Sequence, residues 1–178
     1  MKVVFASLAG AVGLLFSNAA LAHSFDTLFV VPVSGPQAAA GKQARDGFLF
    51  AARERDGHPN ETADGHLGGL DVFLLIVDSA AGTGAVVARV GDLAGRAADD
   101  VARIVAPAEM LTAIRRQVGG AEMVVIDLAA AMPANACTMA GRPFGAAFEA
   151  ALGYAPTSAA FAGYTAARQI DTAVRAGN

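Results

Sequence analysis

Four short apolar runs, each followed by a helix-length segment, constrain this chain more than any other feature. They are Leu28–Val33 (LFVVPV), Asp71–Val77 (DVFLLIV), Val101–Val105 and Met123–Leu128 (MVVIDL). The first, second and fourth are bulky and nearly unbroken rather than alternating. Strands of that kind are buried on both faces, as in a parallel sheet covered by helices. Pro32 cannot donate to a ladder and is expected near the end of its strand. Between the runs lie segments with helical spacing. Ala40, Ala44, Phe48 and Ala51 form a stripe at i, i+4, i+8 and i+11, with Lys42, Arg45, Arg53 and Glu54 on the wetter side. Ser34 and Pro36 suit the start of that helix, which is expected to reach about Arg55. A second helix is expected from Ala85 to about Ala98, weakened by Gly91 and Gly95. A third follows Pro107 and carries Met110, Leu111, Ile114 and Val118 on one face, with Gly119-Gly120 ending it. Residues 129–143 have no period and read as a crossover loop. Phe144–Leu152 and Ser158–Ala176 read as two closing helices. The expectation is an α/β fold: a single three-layer α/β/α domain with about four mainly parallel strands and right-handed crossovers.

The first two dozen residues stand outside this pattern. Met1-Lys2 is a basic start, Val3–Phe16 is apolar, and Ala20-Leu21-Ala22 offers an A-x-A cleavage site. That is the layout of a secretory signal, and it is shorter than the ~20 apolar residues a spanning helix needs. Residues 1–22 are read as a signal peptide and 23–178 as the domain, placing the mature chain in the periplasm with His23 first. All 16 acidic residues lie beyond the signal and Lys2 is the one basic residue lost with it, so the mature charge is about −4. No basic patch points to nucleic acid, and no second apolar segment points to a membrane span. Cys137 is the only cysteine, so no internal disulfide can form and stability must come from packing.

Ligands of open α/β sheets sit at the carboxyl ends of the strands. That rule places Ser34, Gly35, Asp78, Ser79, Thr83 and Asp127 on the candidate rim, with backbone N–H groups at the start of the first helix available to an anion. A second constellation is His23, His58 and His66, the only histidines. With Asp56, Glu61 and Asp64 nearby, they define an alternative: a periplasmic carrier of copper or zinc. The polar loop 56–69 is equally a solvated turn region. No Cys-x-x-Cys, G-x-S-x-G elbow or P-loop occurs; nucleophilic catalysis would need a base and an orienter converging on Ser, Thr or Cys, and the sequence offers no such assembled set. No enzymatic activity and no cofactor is therefore expected.

The segment PVSGPQAAAGKQARDGFLFAARE, with Gly41, Ala44 and Gly47 on its helix, and Gly68-Gly69 ahead of DVFLLIVDSAAG, resembles the opening of type I periplasmic solute-binding proteins. These serve branched-chain amino-acid ABC transporters. The ending FGAAFEAALGYAPTSAAFAGYTAARQIDTAVRAG is similar to the close of that family. The resemblance implies one lobe of a two-lobe clamp that binds a small-molecule solute and delivers it to an ABC permease. It also implies that most of the second lobe is missing. Where the family carries hydroxyls after its third strand, this chain has Ala106-Pro107-Ala108-Glu109. A lone lobe cannot close on a ligand, so either a homodimer or a protein partner is expected to complete it.

Overall fold

A computed structural model describes residues 24–54, 62–96 and 101–177. The expected signal peptide and its cleavage point, His23, and the Asp56, His58 and Glu61 part of the histidine loop lie outside the described residues.

The strands are β1 (Ser24–Val31), β2 (Gly65–Leu67), β3 (Leu70–Asp78), β4 (Val101–Ala106) and β5 (Glu122–Val125). The helices are α1 (Ala38–Arg53), α2 (Thr83–Arg96), α3 (Ala108–Val118), α4 (Phe144–Leu152) and α5 (Ser158–Gly177). One sheet runs in the order β2-β3-β1-β4-β5. β1 is flanked by β3 and β4, both parallel to it, and β5 is parallel to β4. The mainly parallel α/β sandwich expected from the apolar runs is therefore the fold. β1 shows why: Phe25, Phe29 and Val31 face one core, Leu28 and Val30 the other, and all five are buried. A strand at the centre of a doubly covered sheet has no wet face to mark with polar residues. On one side α1, α4 and α5 pack through Phe48, Phe144, Phe148, Tyr164 and Ile170. On the other, α2 and α3 supply Val86, Val90, Met110 and Ile114.

Four boundaries differ from expectation. A fifth strand exists: Gly65–Leu67, read as part of a polar loop, pairs antiparallel with β3 across Gly68-Gly69. Three residues between turn formers are too few to show a period. α1 begins at Ala38 with Gln37 at its cap, so Ser34 is not the capping residue. β1 stops at Val31, one residue before the proline that cannot continue the ladder, and reaches back to Ser24. The fourth parallel strand ends at Val125, not Leu128. The Ile126 N–H still donates to Ala106 O at 3.0 Å, but Asp127 then turns the chain by accepting from Ala129 N at 2.9 Å.

The first and last of the described helices, α1 and α5, touch backbone to backbone. A Cβ added at Gly47 would lie 1.8 Å from Ala160 O, and one at Gly163 would lie 1.8 Å from Ala44 O. Only hydrogen fits at either crossing point. The crossover loop 129–143 is held down on this pair of helices. Met139 N–H donates to the Tyr164 hydroxyl oxygen at 2.6 Å and to Glu54 Oε2 at 3.2 Å, and Ala140 N–H donates to Glu54 Oε1 at 3.1 Å. The Tyr164 hydroxyl in turn donates to Glu54 Oε2 at 2.7 Å. Glu54, expected on the wet side of its helix, is thus the acceptor that anchors the loop. Burial alone would raise its carboxyl pKa, but the hydrogen bonds from Tyr164, Thr138, Ala140 and Met139 outweigh that and lower it.

Candidate functional site

The strand order reverses between β1 and β4: the chain leaves β1 towards β3 on one side and later returns to place β4 on the other. At such a switch point the loops following the two strands diverge and leave a crevice. Here it is an open crevice of about 790 Å³, lined by Pro32 and Pro36 after β1, Pro107 to Glu109 after β4, Val125 at the end of β5 and Ile126 to Ala129 after it, with Gln37, Ala39, Ala40 and Ser79. Two helices begin in its wall. α1 starts after Gln37 and α3 after Pro107, and neither has a side chain capping its first turn. The uncapped N–H groups carry the positive end of each helix. The charged side chains lining the crevice are Glu109 and Asp127. Val125 is half-exposed at its edge. The chemistry on offer is backbone donors for an anionic group beside two carboxylates for a donor or cation, among apolar walls.

The expected rim residues divide into three groups. Ser79 and Asp127 line the crevice. Ser34 and Asp78 meet each other beside it: the Ser34 hydroxyl donates to Asp78 Oδ2 at 2.5 Å, while Val33 N–H donates to Oδ1 at 2.9 Å and Ala80 N–H at 3.0 Å. Asp78 therefore ties the end of β3 to the turn after β1. The Ser34 hydroxyl and the Val33 N–H lower its carboxyl pKa, against a small opposing effect of burial. Gly35 takes φ +70° in that turn, a conformation that favours glycine. Thr83 opens α2, is exposed, and lies outside the crevice lining. Sequence reasoning did not select Gln37 or Glu109. Glu109 sits in the first turn of a helix that directly follows a parallel strand, and that position is the signal that could have found it.

The histidine constellation has one member among the described residues. His66 lies on β2, with Nε2 2.6 Å from Asp71 Oδ1. Asp64, its expected neighbour in a metal site, accepts the Leu74 N–H at 2.8 Å. No group of three or more His, Cys, Asp or Glu side chains is placed to hold a metal ion among the described residues. Cys137 is exposed in the crossover loop, its thiol 3.3 Å from Asn135 O. Among those residues, no helix is long and apolar enough to cross a membrane.

Solved structures similar to this chain include substrate-binding proteins of ABC transporters. An amino acid ABC transporter substrate-binding protein from Pseudomonas fluorescens Pf-5 is 19% identical, with a TM-score of 0.44, over 58% of this chain and 26% of that one. An ABC transporter substrate-binding protein from Sphaerobacter thermophilus is 21% identical, with a TM-score of 0.43, over 82% of this chain and 44% of that one. A solute-binding protein of an ABC transporter from Rhodopseudomonas palustris BisB5, in complex with 3,4-dihydroxybenzoic acid, is 12% identical, with a TM-score of 0.45, over 86% of this chain and 81% of that one. The chain thus spans less than half the length of the first two. No protein-family model and no curated protein matches it.

Proposed function

We propose that this chain is an exported, non-catalytic solute binder of an ABC-type transport system, and that the crevice between β1, β4 and β5 takes a small solute with an anionic group. The observation that carries the reading is the meeting of two uncapped helix starts, those of α1 and α3, in the wall of one crevice at the switch point. A solute that also bears an ammonium or hydroxyl group gains Glu109 and Asp127 as acceptors, which favours amino acids and hydroxy acids over simple anions. The Asp78–Ser34 tie fixes the turn before α1 and so orders the crevice edge before any ligand arrives.

The reading extends to the rest of the protein. Residues 1–22 direct export and are removed after Ala22. A second copy or a permease covers the open side of the crevice, because closure normally buries most of a small ligand. The test is a thermal-shift and calorimetric screen of the mature chain against amino acids and small organic acids. A ligand that binds only the folded form raises the melting temperature. Binding should be lost in Asp127→Ala and Glu109→Ala and kept in Thr83→Ala. If a hit is unaffected by both acidic substitutions, the crevice is not its site. Mass measurement with and without the hit reports whether a second copy closes over it, and amino-terminal sequencing of the exported chain reports the cleavage point.

A further inference from the structure

On the outer face of α1, away from the crevice lining, a second pocket of about 370 Å³ lies between α1, the end of α4 and the crossover loop. Leu49, Phe50 and Arg53 share one stripe of α1. Ala151 and Leu152 close the far wall, and Arg142 reaches in from the loop. Two carboxylates, Asp46 and Glu54, also border the pocket, yet both are occupied. Asp46 accepts from Lys42 Nζ at 2.6 Å, Arg45 Nη2 at 2.9 Å and the Tyr154 hydroxyl at 2.5 Å. Glu54 is taken up by Tyr164 and the loop N–H groups. The two arginines are not. Arg53 donates through Nε to the Asp64 carbonyl at 3.3 Å, and among the described residues its terminal nitrogens and the Arg142 guanidinium have no hydrogen-bond or ion-pair partner. Both side chains are exposed. In a chain of net negative charge, the pocket thus sets two uncommitted guanidinium groups over an apolar floor, with its own acids already satisfied.

We propose that this pocket is a second binding site, for a small carboxylate with an apolar body, the carboxylate held by Arg53 and Arg142 and the body resting on Leu49, Phe50 and Leu152. Guanidinium groups suit a carboxylate because their planar donors match its two oxygens. The volume falls in the range of small-molecule pockets, about 300–1,000 Å³. This site shares no lining residue with the crevice and stands whether or not the crevice binds a solute.

The experiment is an NMR titration of the ¹⁵N-labelled protein with 3-phenylpropionate, beside its neutral counterpart 3-phenylpropanol and inorganic phosphate. Saturable shifts should centre on the amides of Leu49 to Arg53 and Ala151 to Gly153. The acid should bind more tightly than either control. Arg142→Gln and Arg53→Gln should each weaken it by about tenfold, the loss of one charge-assisted hydrogen bond. Arg142→Lys should fall between. Both arginines are exposed, so unchanged spectral dispersion verifies that the variants fold. The proposal is overturned if shifts centre on Ala108, Glu109 and Asp127, if the alcohol or phosphate binds as well as the acid, or if both glutamine variants bind like the parent. Absence of saturation up to about 10 mM acid overturns it equally, since affinity weaker than that is below any specific use.

Discussion

Replacing Thr27 by valine should make the protein more stable. Thr27 lies in the middle of β1, is fully buried, and its hydroxyl oxygen has no hydrogen-bond partner among the described residues. Its flanks on the same face are Phe25 and Phe29, and its register partners are Leu74 and Arg103. A buried hydroxyl without a partner costs about 1–3 kcal/mol of desolvation that valine does not incur. The two side chains have nearly the same shape and are both β-branched, so strand propensity and rotamer restriction change little. Taking the lower part of that range, the gain is about 1–2 kcal/mol, because the new methyl must fit a space shaped for oxygen. For a domain of this size that corresponds to a rise in melting temperature of about 3–6 °C. Urea unfolding followed by circular dichroism measures it: the midpoint should rise with the slope unchanged. A lower midpoint at constant slope would mean that the hydroxyl does have a partner, such as a bound water, and the reasoning would be refuted.

The same atom removed elsewhere should act in the opposite direction. Tyr164→Phe deletes a hydroxyl that bridges Glu54 and Met139, and it should cost about 1–3 kcal/mol by urea unfolding, since it leaves buried polar groups short of a partner. Gly163→Ala forces a methyl to within 1.8 Å of Ala44 O; a loss of about 3 kcal/mol or more is expected in the same assay, because backbone rather than a side chain must yield. Acid should weaken the fold through Glu54 and Asp46. Both have carboxyl pKa values lowered in the folded state, where hydrogen bonds outweigh burial. Their contribution is complete above the unfolded carboxylate values of about 4 and is lost as the pH falls through the lower folded values. Glu54→Gln should therefore flatten the decline in stability below pH ~4.5, as followed by melting temperature across a pH series; an unchanged slope would show that Glu54 does not titrate with folding.

The sheet could be read from the chain because its information is local. Runs such as LFVVPV and DVFLLIVD send apolar side chains into the cores on both faces of the sheet, so each declares itself within a single window. The stops at Pro32, Gly119 and Gly153 are local as well. The site was legible only in part. Ser34, Asp78, Ser79 and Asp127 follow from the rule that ligands of open α/β sheets sit at the carboxyl ends of the strands, and the structure brings Ser34 onto Asp78 and sets Ser79 and Asp127 in the crevice. Thr83 lies outside that lining, at the start of α2 after a 3₁₀ turn at Ser79–Ala81. Glu54 looked like a surface charge because its partners, Met139, Ala140 and Tyr164, lie 85 to 110 positions further on. Arg53 and Arg142 line one pocket for the same reason, through tertiary packing that no window contains. β2 was missed because three residues pair only in the presence of β3.

The contact between α1 and α5 bears on when the native state can be reached. The first helix and the last lock through bare backbone at Gly47 and Gly163. Until the final twenty residues are present, the inward surface of α1 has no lid, and the aromatic side chains around Phe50 and Phe144 stay wet. Folding of this pair must therefore wait for α5, a closure between elements about a hundred residues apart that costs more entropy than a local contact.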